Sequence, residues 1–543
     1  MKNKVIFPII VSSISLAGLI AFSVVSKDAL KVEAYNASSL TTTIDLNDCT
    51  DQEIRAYYNG VENLDNFDLL RKLKTILKKD QKYYNYDSGD NIWKMYEITD
   101  RDWEKSPASS TTYGTYDSAT NTITSYQYGS NSSPKNSPYI HALYVNRDVE
   151  NETRAWDDHG QTQWGINREH VWAKAQGFDE NVTSEGGKGG ARGDPMHLMA
   201  GNGYVNNIHG NFYYGYVDKT QSYKDCGAEQ TKTSGEKFTW ANLSGNLLGK
   251  SKYQGGSVSV FEPQDSDKGD IARAIFYMVA RYNNLAGDDT IDSNNPNLEL
   301  VNDLTSYSST AYTSTATKKG KMGLIADLLE WNRLDPPDEY EIHRNNLLYK
   351  NYTNNRNPFI DFPSWAEAIW GTSENGVWNP TPTVKASAST DSINGDKYSL
   401  STNSVTFSDL SKTTTISVRS SKNIQVTWEI ADTSIATIDK TVTAANEEVT
   451  ITPVKDGSTV LKVTIKISET ETVIKNVNIT VSTPKQIDPQ LLMIIAIVVG
   501  VVIVVIIIVL IVSKSARKAA KKLIKEANKQ GKKNKSKNKK KNK

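Results

Sequence analysis

Cysteine is scarce in this chain, which has only Cys49 and Cys226 among its 543 residues. At most one intramolecular disulfide can form, so the sequence excludes a small scaffold held together by several bridges. Cys49 and Cys226 either form that single bridge or remain two buried free thiols, and both outcomes stay open. The length likewise excludes one ordinary domain, because single hydrophobic cores rarely grow beyond about 300 residues.

Charge is absent from a 22-residue run near the C-terminus, at 491–512. At about 1.5 Å per residue, a helix of this length spans the roughly 30 Å hydrocarbon core of a bilayer. We therefore predict one transmembrane helix. The tail at 513–543 contains 15 Lys or Arg residues and a single Glu, which places the tail in the cytoplasm and the preceding mass outside. Residues 1–34 combine Lys2 and Lys4 with a long apolar run, which indicates a signal peptide or, if it is not cleaved, a second anchor.

Positive charge is also in short supply before the tail. The whole chain has a net charge of +1, yet the tail alone holds 15 cationic residues, so the rest of the chain is acidic. Attraction of an anionic partner would therefore require a local basic groove or a bound divalent cation.

Between the two ends, the pattern of apolar residues changes once. Residues 35–375 contain segments with apolar residues at helical spacing, and we predict helices at 65–80, 270–283 and 323–331. A linker rich in Pro and Thr follows at 376–385. Residues 386–484 then alternate, which predicts a β-sandwich with strands at 414–418, 424–430, 449–451, 460–465 and 473–481. Residues 427–438 resemble bacterial immunoglobulin-like modules, whose role here is either adhesion or spacing.

Chemistry concentrates in three short blocks: 167–172, 189–198 and 203–207. The first places Glu169 beside His170, the second is Gly-rich, and the third reads as the start of a helix. Hydrolysis of a phosphodiester needs a base for water, and a neutral imidazole is available near its usual pKa of about 6.5. The negative charge that develops on the phosphate and the leaving oxygen must also be stabilised. A Mg²⁺ ion held by carboxylate and amide oxygens can do this. Neighbours on a regular strand point to opposite faces, so the pair converges only where the strand ends or distorts.

These blocks, together with 261–273 and 355–361, resemble the endonuclease I family of secreted His-Me finger (ββα-metal) nucleases over most of residues 48–375. The resemblance implies that His170 is the general base and that Glu169 and Asn206 hold one divalent ion, Mg²⁺ or alternatively Mn²⁺ or Ca²⁺. It also implies that Arg192, in the Gly-rich loop, holds a phosphate. Ala173 stands where relatives usually carry proline. The predicted fold class is α+β: a ββα-metal nuclease domain, an immunoglobulin-like β-sandwich and one transmembrane helix.

The resemblance further implies a largely nonspecific endonuclease that cuts DNA, with RNA as an open second substrate, and leaves 5′-phosphate ends. The residues that we expect to bind nucleic acid are Arg168, Asn207, Asn211 and Arg273. For Arg273, Arg281 and Arg356 the competing interpretation is a set of ion pairs with acidic residues such as Asp270, Glu262 and Asp361. Asp194 and His197 are expected to brace the fold, His141 to lie in the core, and His209 to be exposed.

Two other functions stay open on the sequence. One is a noncatalytic surface adhesin, in which the nuclease scaffold and the immunoglobulin-like module bind an extracellular polymer. The other is a zinc hydrolase that uses His170, His197 and His209 as ligands.

Overall fold

The computed structural model describes residues 43–483 and 512–531, except 84–85, 87–90, 110–113, 130–136, 146–164, 179–189, 228–229, 232–236, 239–242, 255–257, 286–295, 304–319, 375, 396–397, 403, 421–423 and 469–471. The predicted signal segment at 1–34 lies outside these residues, as does the predicted membrane helix at 491–512 apart from its last residue. Among the residues that are described, no helix is both long and apolar enough to cross a membrane. Residues 512–531 form an exposed helix.

Nine α-helices are described before residue 371. They are α1 (Asp51–Tyr57), α2 (Asn66–Lys78), α3 (Asn91–Thr99), α4 (Gly203–His209), α5 (Lys268–Tyr282), α6 (Ile325–Leu334), α7 (Glu339–Leu348), α8 (Pro358–Asp361) and α9 (Trp365–Trp370). The three predicted helices correspond to α2, α5 and α6. In α2 the buried side includes Leu69, Leu70, Leu73 and Leu77, whereas Phe67 in the first turn is exposed.

Short strands surround these helices. They are β1 (Thr43–Asp45), β2 (Thr115–Asp117), β3 (Thr122–Thr124), β4 (Ile166–His170), β5 (Leu198–Asn202), β6 (Tyr213–Tyr214), β7 (Lys224–Asp225), β8 (Gln230–Thr231), β9 (Lys237–Phe238), β10 (Leu247–Lys250), β11 (Ser259–Glu262), β12 (Glu299–Leu300), β13 (Lys321–Met322), β14 (Thr372–Glu374) and β15 (Val377–Asn379). Helix α5 runs through the centre of this region, and every one of its 15 residues is buried. The mixture of helices and separate small sheets agrees with the predicted α+β class.

The described part of 399–481 contains strands and no helix. The strands are β16 (Ser399–Leu400), β17 (Ser404–Phe407), β18 (Thr414–Ile416), β19 (Val418–Arg419), β20 (Gln425–Ile430), β21 (Ala436–Ile438), β22 (Val442–Ala444), β23 (Val449–Pro453), β24 (Gly457–Lys466) and β25 (Thr472–Val481). A five-stranded sheet, β17-β25-β24-β20-β22, and a three-stranded sheet, β18-β23-β21, share an apolar core that includes Trp428. The predicted strands therefore occur, while the immunoglobulin-like assignment itself stays a prediction.

The two cysteines do not pair. Both thiols are free and buried, and Cys49 lies 3.0 Å from a guanidinium nitrogen of Arg356. Burial raises the pKa of both thiols, that of Cys226 to about 12, so neither is a reactive thiolate at neutral pH. The disulfide considered from the sequence is thus wrong, and the alternative of two buried thiols is correct.

Candidate active site

The chemical blocks fold into a β-hairpin followed by a helix. Strands β4 and β5 pair antiparallel, with Glu169 opposite Met199 and His170 opposite Leu198. Helix α4 follows β5 directly, and the side chain of Asn202 caps it by accepting from the backbone N–H groups of the second and third residues after it. His170 is the last residue of β4, which is the point where regular strand alternation can end.

Two long-range hydrogen bonds hold one oxygen of the buried Glu169 carboxylate. Its Oε1 accepts from the Tyr144 hydroxyl at 2.7 Å and lies 2.9 Å from Nδ1 of His209. Oε2 has no hydrogen-bond partner among the described residues. A Cβ at Gly201 would lie 2.9 Å from Cβ of Glu169, so glycine leaves room for this carboxylate across the hairpin. The protein therefore fixes one oxygen and leaves the other available to a ligand.

His209 contradicts the prediction that it is exposed. Its side chain is fully buried, and its two ring nitrogens face Glu169 Oε1 and the carbonyl oxygen of Phe212, the latter at 3.1 Å. Asn206 lies three residues earlier on α4 and is half-buried, so it projects from the same side of the helix. Asn206 and His209 therefore share one side of α4.

The environment of His170 defines which nitrogen can act as a base. Nε2 lies 3.0 Å from the backbone carbonyl oxygen of Arg192. Because a carbonyl only accepts, Nε2 carries the hydrogen and Nδ1 keeps its lone pair. Burial, reinforced by the neighbouring His197 ring, lowers the pKa of His170 well below its usual value of 6.5. The ring is therefore neutral at neutral pH, as a general base must be.

Two arginines share one aromatic ring beside His170. The guanidinium carbon of Arg168 lies 4.0 Å from the centre of the Tyr86 ring, and that of Arg192 lies 4.5 Å from it. The His170 ring is 4.9 Å from the same centre. Arg168 also donates to the Tyr86 carbonyl oxygen at 3.0 Å. Arg168 and Arg192 were expected in the site from the sequence, whereas Tyr86 was not. An isolated tyrosine that lies far from the three blocks in sequence has no motif that would mark it as a site residue.

The remaining residues expected to bind nucleic acid divide into two groups. Asn207 is exposed on α4, and Asn211 is half-buried just after it, so both lie close to the hairpin. Arg273, by contrast, is fully buried: its Nε donates to Glu341 at 3.0 Å, and its Nη2 donates to Asp270 at 3.2 Å. Its assignment to nucleic-acid binding is wrong, because a guanidinium enclosed by two carboxylates cannot contact a substrate.

The other two arginines of the competing interpretation are also internal. Arg356 pairs with Asp361 at 2.7 Å, and Arg281 donates to Gln81 at 2.6 Å. The ion-pair interpretation is therefore confirmed for Arg273 and Arg356. Glu262, considered as a third acidic partner, instead accepts from the ammonium group of Lys268 at 2.8 Å.

Asp194 and His197 are buried and form hydrogen bonds with the segments that surround the site. Asp194 Oδ2 accepts from Gln81, Tyr277 and Tyr282, at 3.0, 2.8 and 2.8 Å. His197 uses both ring nitrogens on the backbone, at Trp172 and Ala191. The zinc triad considered from the sequence is not assembled: the described part of the chain has no group of three or more His, Cys, Asp or Glu residues able to hold a metal.

Comparison with known families agrees with this geometry. A model of the endonuclease I family matches residues 66–364, more than half of the chain. The chain belongs to the endonuclease I family. The matched range contains the hairpin, α4 and the Tyr86 ring, so this family of nucleases is recognised across the whole candidate site.

Two relatives of this endonuclease I chain are named as extracellular ribonucleases. The one from Bacillus subtilis is 36% identical over 237 residues, which cover 44% of this chain and 63% of the relative. The one from Bacillus amyloliquefaciens is 36% identical over 219 residues, covering 40% and 58%. The chain thus spans about six tenths of these relatives. Among solved structures, domains 4 and 5 of the S-layer protein SbsC match 16% of the chain at 18% identity, with a TM-score of 0.13 that supports no conclusion.

If Glu169 holds the divalent ion that the family resemblance implies, removing the Tyr144 hydroxyl should weaken metal binding by this endonuclease I domain. Tyr144→Phe deletes one of the two donors to Oε1, and such supporting changes typically lower metal affinity or activity by about 10- to 100-fold. Metal affinity measured by calorimetry tests this expectation. Tyr58→Phe is a matched control, because it deletes a buried hydroxyl that donates to Asp361 at 2.7 Å. Equal metal affinity in the two variants would contradict the role given to Tyr144.

Acid should destabilise the fold through His197. Burial lowers the pKa of His197 from 6.5 to about 4, so the unfolded chain binds the proton more readily. Its contribution to stability is complete above pH 6.5 and is lost as the pH falls towards 4, by at most about 1.4 kcal/mol per pH unit. The midpoint of thermal unfolding should fall across this window, and less steeply in His197→Gln.

Proposed function

We propose that this chain is a divalent-metal-dependent, largely nonspecific endonuclease that hydrolyses phosphodiester bonds in DNA and RNA and leaves 5′-phosphate ends. One observation carries the proposal: the available nitrogen of His170 and the available oxygen of Glu169 belong to adjacent residues at the end of β4. A base that activates external water does not require a ribose 2′-hydroxyl, so DNA is a substrate on chemical grounds. The names of the two Bacillus relatives support RNA as well.

Glu169 and Asn206 are the residues that would hold one Mg²⁺, with Mn²⁺ or Ca²⁺ as alternatives. The donor set fits a hard cation, because it offers one carboxylate oxygen and one amide oxygen and leaves other positions to water. When bound, the ion supplies positive charge for the scissile phosphate and for the leaving 3′-oxygen. Tyr144 and His209 hold the Glu169 carboxylate in the orientation that this requires.

His170 takes the proton from the attacking water at Nδ1. The hydrogen bond between Nε2 and the Arg192 carbonyl keeps the ring in the tautomer and orientation for that transfer. Arg168 and Arg192 supply the cationic environment that the acidic chain otherwise lacks, and Asn207 and Asn211 lie where flanking nucleotides would pass. The positive charge at this site is local, so we expect binding to weaken strongly with salt.

We also propose that the enzyme acts outside the cell while attached to the membrane. The signal-like segment at 1–34, the apolar run at 491–512 and the basic tail support this arrangement, as do the names of the extracellular relatives. Protease treatment of intact cells tests it. Digestion of the nuclease region, with the C-terminal tail protected, is expected; a fully protected chain would contradict it.

The decisive assay for the activity uses the full-length protein with plasmid DNA and with RNA. Both substrates should be degraded in Mg²⁺, and EDTA should stop both reactions. The products should accept a kinase label only after phosphatase treatment, since their 5′ ends already carry phosphate. Binding without cleavage across Mg²⁺, Mn²⁺ and Ca²⁺ would instead support the noncatalytic polymer-binding alternative.

A further inference from the structure

The ring of Tyr86, a residue 82 positions before Arg168, lies against three side chains of the candidate site. Its ring lies within 4.0 Å of the Arg168 guanidinium carbon and within 4.5 Å of that of Arg192. The same ring is 4.9 Å from the His170 imidazole, at an interplanar angle of 51°. Tyr86 itself is half-buried, so its ring serves as a wall of the site and remains close to solvent.

The two arginines depend on this ring to different degrees. Arg168 is fixed to Tyr86 twice, through the ring and through the hydrogen bond to the carbonyl oxygen, and its guanidinium carbon also lies 5.9 Å from the Trp93 ring. Arg192 is in the short 3-10 turn Ala191–Gly193, and its carbonyl also orients His170. The ring therefore joins strand β4 to the Gly-rich loop.

Aromatic rings attract cations through the negative charge of their faces. A flexible arginine loses much side-chain freedom when it binds phosphate, and a ring that already orders the guanidinium removes part of that loss. Two guanidinium groups at one ring also repel each other, and an anion between or beside them relieves that repulsion. The arrangement thus favours a phosphate beside His170.

We propose that Tyr86 is a positioning residue that orders Arg168 and Arg192 for phosphate binding before the nucleic acid arrives. This inference rests on the proposed function, because it assumes that the site receives a phosphodiester. It assigns to Tyr86 no contact with the reacting atoms. Its effect is on affinity for the nucleic acid, and the effect requires the ring and not the hydroxyl.

The test compares Tyr86→Leu with Tyr86→Phe in the full-length protein. Binding of a 5′-fluorescein-labelled 12-nucleotide DNA, and of the RNA of the same sequence, is measured by anisotropy in EDTA. Tyr86→Leu should bind roughly 10-fold more weakly, as expected from the removal of two cation–ring interactions, and Tyr86→Phe should stay within about 2-fold of wild type. The slope of log Kd against log salt should also fall for Tyr86→Leu, by roughly 0.7 for each phosphate that the variant no longer neutralises.

A purely structural role for Tyr86 predicts a different result. Tyr116→Leu serves as the matched control, because Tyr116 is a half-buried tyrosine in the β1–β3–β2 sheet. If Tyr86→Leu lowered the thermal midpoint but left affinity and salt slope at wild-type values, the proposal would be overturned. Weak binding by Tyr86→Phe as well as by Tyr86→Leu would also overturn it, because the ring would then not be sufficient.

The binding assay tests the positioning role of Tyr86 separately from the proposed hydrolase activity. Steady-state rates in Mg²⁺ should show KM raised about 10-fold in Tyr86→Leu and kcat changed less than about 3-fold, since Glu169 and His170 keep their own hydrogen bonds. Wild type that binds the oligonucleotide but never cleaves it would remove the hydrolase proposal, while a Tyr86-dependent Kd would still support the positioning role. Wild type that cleaves, with identical Kd in all variants, would remove the positioning role alone.

Discussion

Replacing His170 with alanine should slow phosphodiester hydrolysis by at least about 100-fold, the usual contribution of a positioned general base. The change removes the His170 ring nitrogen that keeps a lone pair, since Nε2 is already directed to the Arg192 carbonyl. No charge is lost, because the buried imidazole is neutral, so nucleic-acid affinity should change little. The initial rate of plasmid cleavage at saturating Mg²⁺ measures the effect.

The fold should survive His170→Ala. The side chain is held by the hydrogen bond to the Arg192 carbonyl, and the surrounding Tyr86 and His197 rings remain to fill the space. His343→Ala is a suitable control, because His343 is a half-buried histidine paired with Asp48 away from the hairpin. It should retain the wild-type rate. Undiminished cleavage by His170→Ala, with a normal thermal midpoint, would remove His170 from the mechanism.

Replacing Glu169 with glutamine should slow cleavage by at least about 100-fold and lower metal affinity by a similar factor. This loss is larger than the roughly 10- to 100-fold loss that is typical when a residue that only supports a metal ligand is changed. The substitution keeps the shape of the side chain but removes the negative charge that a hard cation prefers. The amide oxygen of glutamine can still accept the hydrogen bonds of Tyr144 and His209 that Oε1 accepts now, so the amide nitrogen replaces the oxygen that is available to the ion. Calorimetric titration with Mn²⁺ or Mg²⁺ separates the loss of binding from a loss of chemistry.

Glu374→Gln is the matched control for this substitution, because Glu374 is an exposed carboxylate in β14. Wild-type metal affinity is expected in the control. If Glu169→Gln also bound metal like wild type, the ion would have to be held elsewhere. Loss of cleavage with intact metal binding would then assign Glu169 to another step.

The residues of the site could be located because their signals are local in sequence, whereas the ββα arrangement came from the family resemblance. Glu169 and His170 are neighbours, and Asn202 to Asn206 carry both the cap and the start of α4. Local periodicity likewise located α2, α5 and α6. In these cases a few consecutive residues determine the backbone pattern, and tertiary packing adds to a preference that the segment already has.

The supports of the site were not predictable, because they depend on contacts between remote residues. Tyr144 reaches Glu169 from 25 positions away, and His209 from 40. We therefore predicted that His209, at the end of a short helix, is exposed, whereas in the fold it is buried against the Glu169 carboxylate. Tyr86 joins the site in the same way, from a position 82 residues before Arg168.

Arg273 illustrates the opposite error. It was expected to bind nucleic acid, with ion pairs as the competing interpretation. In the fold α5 is buried on all sides, and Glu341, 68 residues further along the chain, encloses the guanidinium. Helical periodicity identifies which residues share a face, but it cannot identify a buried carboxylate that arrives from another helix.

Chemical rescue of His170→Ala provides the most direct test of the role of His170. The rate of plasmid cleavage by this variant is measured at fixed Mg²⁺ with increasing imidazole, alongside Glu169→Gln. If His170 is the base, free imidazole should restore part of the lost rate in His170→Ala and none in Glu169→Gln. A His170→Ala variant that already cleaves at the wild-type rate without imidazole would contradict the assignment of His170 as the general base.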